Sequence, residues 1–207
     1  MAELKTLFAT HVYEESLAAD RGFAALNADL ADACRMLAVE DGAGRAWCRE
    51  HAYGGYTSYA SLPDVTRMAT AFGDLKKKLD RNAAAFAEAL AFDLGPRGRL
   101  VLDSFWVNVL KPGGTHSGHI HPHSVLSGTY YVEVPPGAGD LRLEDPRLGL
   151  MMAAPPRRSE AGSNASFATL KPAAGSLFLW ESWLRHEVLP HRGKGERISL
   201  SFNYSWT

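Results

Sequence analysis

The chain has 207 residues, 46% of them apolar and 22% charged, with a formal net charge of −1. That is ordinary globular composition, long enough for one domain with a full core, and it supplies no field that would draw in nucleic acid or an anionic membrane. Its two cysteines, Cys34 and Cys48, form no CxxC pair, which argues against a thiolate zinc site and a disulfide scaffold.

The first stretch, "MAELKTLFATHVYEESL", carries charges at Glu3 and Lys5 and no sustained apolar run, so it does not read as a signal peptide. No segment approaches the roughly 20 apolar residues of a membrane span, and a cytoplasmic location is the default expectation. "DRGFAALNADLADACRMLAVED" places Phe23, Leu26, Leu30, Ala33, Cys34 and Leu37 at helical spacing, with Asp20 as the expected N-cap. "YGGYTSYASLPD", Tyr53 to Asp64, reads as a loop. A second helix is expected from about Asp64 to Ala91, with Val65, Met68, Phe72, Leu75, Leu79, Phe86 and Leu90 on its apolar side and Lys76 to Lys78 on a solvated face. "DLGPRG", Asp93 to Gly98, stops it.

From Arg99 the texture changes to short alternating runs: "LVLDSFWVNVL", "SGTYYVEV", "GDLRLEDP", "GSLFLWES", "LRHEVLPH" and "RISLSFNYSW". Gly, Pro, Asp and Ser punctuate them, the pattern of an antiparallel barrel or jelly roll. The expected fold class is α+β, mainly β: a single domain over 1–207, with residues 1–98 a helical flank and 99–207 the β core. No internal repeat is present. Leu148 to Gly175 is low in periodicity and is expected to be a long loop, the kind of segment that serves as a lid.

The chemistry concentrates in "HSGHIHPHSVLSGTYYVEV", where His116, His119, His121 and His123 fall within eight positions. Residues i and i+2 of a strand share a face, so His119 and His121 would present two imidazoles on one side, a donor set suited to zinc, copper, iron or nickel. A solvated histidine-rich loop is the plainer alternative. His186, in "LFLWESWLRHEVLP", is the candidate third ligand or else a structural histidine, with Trp180 and Trp183 as a possible apolar wall. Arg197 stands in the otherwise apolar strand "RISLSFN", where a guanidinium is costly to bury unless it meets an anion. Alternation sets Arg197, Ser199 and Ser201 on one face and Ile198, Leu200 and Phe202 on the other. The first face is a carboxylate-binding row.

His-x-His, then a distant histidine, then an arginine beside serines resembles the iron(II)- and 2-oxoglutarate-dependent oxygenases. The likeness is strongest to a group of members with little assigned function that carry "WVN", "HxHP…LSGxYYV" and "SWLxH…RISxSFN" segments. Here these are Trp106 to Asn108, His119 to Val132 and Ser182 to Asn203, with a weaker likeness at "GGYTSY", Gly54 to Tyr59. The resemblance implies a double-stranded β-helix, and Fe(II), 2-oxoglutarate and dioxygen (O2) as cofactor and co-substrates. It also implies hydroxylation of a C–H bond in a small-molecule or peptide substrate. It makes His119 and His186 iron ligands, pairs Arg197 with the distal carboxylate of 2-oxoglutarate helped by Ser199 or Ser201, gives Tyr131 or Tyr130 a hydrogen bond to the same molecule, and lines the pocket with Trp106 and Asn108. The family's acid two residues after the first histidine is His121 here. If His121 ligates, the metal site is His119, His121 and His186, three neutral imidazoles.

Two rivals share the architecture. A cupin-like metalloenzyme would explain the glycine ahead of His-x-His, but the glutamate its motif needs is replaced by Val125 and Leu126. A non-catalytic metal- or ligand-binding jelly roll is favoured by the missing acid and opposed by Arg197 and its serines. Hydrolytic zinc chemistry would need Glu144, Glu181 or Glu187 as base, and no spacing singles one out. Tyr56 and Tyr59 either cap a cleft or pack. There is no GxSxG and no glycine-rich phosphate cradle.

Overall fold

The structure is a computed structural model that describes residues 2–147, 152–153, 155–156, 158 and 165–207. The chain runs β1 (Val12–Ser16), a 3-10 turn (Leu17–Ala19), α1 (Phe23–Glu40), α2 (Gly42–Glu50), β2 (Gly55–Thr57) and α3 (Thr70–Ala89). It continues with β3 (Leu100–Leu110), β4 (His116–His119), β5 (Leu126–Glu133), β6 (Leu141–Glu144), β7 (Phe167–Leu170), β8 (Ser176–Glu181), β9 (His186–Val188) and β10 (Arg197–Trp206). The strands form two antiparallel sheets, a six-stranded one ordered β1-β8-β5-β10-β3-β2 and a four-stranded one ordered β4-β9-β6-β7. No helix among the described residues is long and apolar enough to cross a membrane.

The period-2 alternation of β10 decides how the layers stack. Ile198, Leu200 and Phe202 join one core with Phe105, Val107, Val109, Tyr130 and Val132 of the neighbouring strands. Into that same core α1 sends Leu30, Cys34 and Leu37, and α3 sends Phe72, Leu75, Leu79, Ala83 and Phe86. These helical residues recur at three- and four-residue intervals, so each helix buries one stripe against the six-stranded sheet. The opposite face of that sheet, with Tyr131, Phe178 and Trp180, meets Leu141, Leu143 and Leu184 of the four-stranded sheet's side in a second, smaller core. At Gly128 of β5 a Cβ would stand 2.4 Å from Phe202 Cζ and 2.7 Å from the Phe178 carbonyl oxygen. Only glycine fits there.

The helical half departs from expectation in five places. Asp20 closes the 3-10 turn, and α1 starts after Gly22, whose φ of 82° is a left-handed conformation glycine takes freely. Asp41 caps a separate helix, α2, by accepting from the Gly44 N–H. The Tyr53–Asp64 segment is not all loop, since β2 pairs with β3 from Gly55↔Leu110 to Thr57↔Asn108. The second helix begins at Thr70, not Asp64, because the chain before it is tied to β3: Phe105 N–H donates to Pro63 O and Val65 N–H to Phe105 O. β1 likewise joins the sheet through β8. The expected 148–175 loop lies partly outside the described residues, and its far end contains β7, paired with β6.

Candidate metal centre

The two sheets place the histidines. β4 pairs with β9 so that His119 stands opposite His186. His121 lies two residues past His119, just beyond the end of β4, and its N–H donates to Ser182 O. Extended backbone at that spacing keeps both rings on one side. One potential ligand nitrogen from each of His119, His121 and His186 lies within 4.8 Å of the others. His116 is three residues before His119, which ordinary alternation would send to the other face. A register irregularity between the two lets its ring stack on His119 with centroids 4.8 Å apart. His123 is exposed and takes no part.

Backbone carbonyls orient two of the rings. His119 Nδ1 is 2.7 Å from Ser117 O, and His186 Nδ1 is 2.9 Å from Leu184 O. A carbonyl can only accept, so each Nδ1 carries the proton and each Nε2 keeps its lone pair, the arrangement of a metal-ligating histidine. Burial, reinforced by His119, holds the His186 imidazole down at about 3 and that of His121 at about 4. Burial is also the leading cause that holds His116 at about 4 and lowers His119. All four are neutral at pH 7 and able to offer a lone pair.

The facing wall is β10 with its neighbours. Arg197 is 1% exposed, yet among the described residues no carboxylate pairs with it. Its Nε donates to Gly139 O at 3.1 Å, its Nη1 donates to Ser199 Oγ at 3.2 Å, and the guanidinium lies 4.8 Å over the Tyr131 ring. Arg197, Ser199, Ser201, Tyr131, Trp106 and Asn108 line the same cavity as the histidines. Asn108 Nδ2 donates to Ser201 Oγ at 3.1 Å, and Asn108 Oδ1 accepts from Thr57 Oγ1 at 2.8 Å. Three buried polar atoms in this lining, Tyr131 Oη, Trp106 Nε1 and Trp180 Nε1, have no hydrogen-bond partner among the described residues. Two bare imidazole nitrogens, a third ring, an unneutralised guanidinium and three unused donors fit a metal held beside an anionic ligand.

Some sequence-based expectations are corrected. Tyr130 is on the opposite face from Tyr131, buried in the helix-side core with its hydroxyl donating to Asn27 Oδ1 at 2.9 Å, so it does not reach the cavity. Trp183 is 45% exposed and leaves the wall to Trp180, whose ring meets His186 at 4.6 Å. Glu144 and Glu187 are engaged by Arg185 and Arg142. Tyr56 packs, donating to Asp41 Oδ2, whereas half-exposed Tyr59 has its ring centroid 5.1 Å from that of Trp106. Residues not singled out from sequence are Thr129, which lines the cavity, and Asn203, whose amide reaches His121. Asn203 has the parity of Arg197, Ser199 and Ser201, so the alternation of β10 itself assigns it to their face.

Residues 104–203 match the family described as "Putative 2OG-Fe(II) oxygenase". Over that segment, just under half of the chain, the sequence is similar to the family's members. No curated protein matches the sequence. Among solved structures, the chain is similar to a prolyl-4-hydroxylase from Pseudomonas putida at 18% identity, covering 95% of this chain and 92% of that one with a TM-score of 0.60. It is also similar to HygX from Streptomyces hygroscopicus, solved with nickel and 2-oxoglutarate bound, at 13% identity, 95% and 82% coverage and a TM-score of 0.56. An oxidoreductase of the 2OG-Fe(II) oxygenase family from Burkholderia pseudomallei aligns at 16% identity over 65% of this chain, which spans 56% of that protein's length, with a TM-score of 0.49. At these identities the first two likenesses establish a shared fold. The oxygenase family's name supplies the metal, Fe(II), and the 2-oxo acid that the cavity's donor set suits.

Proposed function

We propose that the chain is an Fe(II)- and 2-oxoglutarate-dependent dioxygenase of the hydroxylase type, its two sheets forming a double-stranded β-helix. The observation that carries the reading is Arg197, a buried guanidinium without a carboxylate partner among the described residues, in the wall of a cavity that also holds three convergent histidines. His119 and His186 would hold the iron through Nε2, with His121 beside them. Arg197, aided by Ser199, would bind the distal carboxylate of 2-oxoglutarate, and Tyr131 Oη, without a hydrogen-bond partner among the described residues, would donate to the same molecule. Bound iron with 2-oxoglutarate and dioxygen supplies oxidative decarboxylation coupled to C–H hydroxylation. The protein's own part is orientation and exclusion of water: Trp180 and Trp106 would close the cavity with apolar rings, with half-exposed Tyr59 packed on Trp106.

Anaerobic titration of the metal-free protein with Fe(II) and then 2-oxoglutarate tests this. A visible charge-transfer band that requires both and disappears on admitting oxygen is the expected result. Arg197→Ala is expected to keep metal affinity and lose the 2-oxoglutarate dependence of the band. Unchanged co-substrate affinity in that variant would sink the assignment. The metal cluster contains no carboxylate, which favours a second reading, a non-catalytic metal-binding module. Tight zinc or nickel binding without any band would select it.

A further inference from the structure

The environments of the three clustered histidines are not equivalent. His119 and His186 each face a carbonyl oxygen with Nδ1, but His121 Nδ1 faces an amide nitrogen, Asn203 Nδ2, at 3.4 Å. The amide cannot turn over without loss. Asn203 Oδ1 accepts from Ser127 Oγ at 2.8 Å, and Ser127 Oγ is itself 2.8 Å from Ser182 Oγ. Asn203 Nδ2 donates to Ser104 Oγ at 2.8 Å, and the Ser104 hydroxyl donates in turn to Asp103 Oδ1 at 2.8 Å. A flipped amide would aim its oxygen at a hydroxyl already committed to a carboxylate. Asn203 is 5% exposed, so no bulk water is at hand to repair the mismatch. With its NH2 group directed at His121 Nδ1, that nitrogen must be the acceptor and the ring's proton must sit on Nε2.

We propose that Asn203 is a positioning residue that holds His121 as the Nε2–H tautomer, so that His119 and His186 present bare nitrogens to the metal while His121 presents a donor. This rests on the oxygenase reading. In that setting the position that normally carries the family's acid supplies a hydrogen bond to a carboxylate oxygen of the co-substrate, and only two protein nitrogens are free to bind the metal without a prior tautomer shift.

The test needs no activity. Long-range 1H–15N correlation on the 15N-labelled, metal-free protein at neutral pH reports the tautomer of each imidazole, with His121 assigned by the signals lost in His121→Gln. The expected pattern is Nδ1–H for His119 and His186 and Nε2–H for His121. His121 found as Nδ1–H, or as an even mixture, overturns the proposal whatever the metal titration shows. Asn203→Asp supplies the second measurement, since a carboxylate in that place accepts from Nδ1–H and converts His121 into a third ligand. Co(II) affinity is expected to rise by on the order of tenfold or more, with a changed ligand-field spectrum. A folded Asn203→Asp protein with unchanged affinity and spectrum would equally overturn it. Wild type that shows the expected tautomers but binds no metal would leave the positioning role standing and remove the oxygenase reading instead.

Discussion

His186 sits where burial and charge repulsion act together, and its proton affinity follows. His116, His121 and His186 are held at about 4, 4 and 3 against an ordinary value of 6.5. The unfolded chain therefore takes up protons at these rings as pH falls below about 6.5, while the folded chain does not until near pH 4. The unfolded state binds more protons across that window, so stability of the metal-free protein declines as pH falls. The urea midpoint is expected to be lower at pH 5 than at pH 7, and His186→Phe should lose part of the difference. A midpoint that rises on acidification would contradict the burial of these rings. His186→Ala should reduce metal affinity below detection in an equilibrium titration while leaving a folded protein, because in the proposed site the ring would be a ligand and is only part of the cavity wall. At the residue scale the sequence marks its unusual chemistry in a histidine pair at i, i+2 and in an arginine amid Ile198, Leu200 and Phe202. It could not choose between Tyr130 and Tyr131, because adjacent tyrosines differ only in which face of β5 is inward, and that depends on pairing with β10 and β8.

At the level of elements, the strands were legible and several connections were not. β3 coincides with "LVLDSFWVNVL" and β10 with "RISLSFNYSW" because their alternation serves one core on each side of one sheet. The short strands β1 and β2 carry no comparable signal. Their 3–5 residues acquire strand geometry from partners already in the sheet. The second helix was over-extended because Val65 and Met68 fit a helical period, whereas the backbone before Thr70 finds its hydrogen bonds on β3. β5 is open to a direct check at Gly128. Gly128→Ala would drive a methyl group into the Phe202 ring and the Phe178 carbonyl. The cost of such overpacking is about 1–3 kcal/mol, and a urea-denaturation series should show it with no change in the slope. A neutral Gly128→Ala would mean that Phe202 has room to move.

For the molecule as a whole, α1, α3 and the six-stranded sheet share one continuous core, so the helical flank has no interior of its own. Far-ultraviolet ellipticity and tryptophan fluorescence are expected to report coincident thermal transitions in the metal-free protein. Separate transitions would mean that the flank melts independently. The second core, with Tyr131, Leu141, Phe178, Trp180 and Leu184, has a different role by position. It is the spacer between a sheet that carries His119 and His186 and a sheet that carries Arg197. The distance between the clustered histidines and Arg197 is thus set by how thickly side chains fill the interior between the sheets. An interior of that kind acts as a gauge. With Arg197 anchoring the co-substrate as proposed, such a gauge would select a dicarboxylate of one length, and trimming Leu141 or Leu143 should shift the protein's choice among 2-oxo diacids a carbon shorter or longer before it abolishes binding.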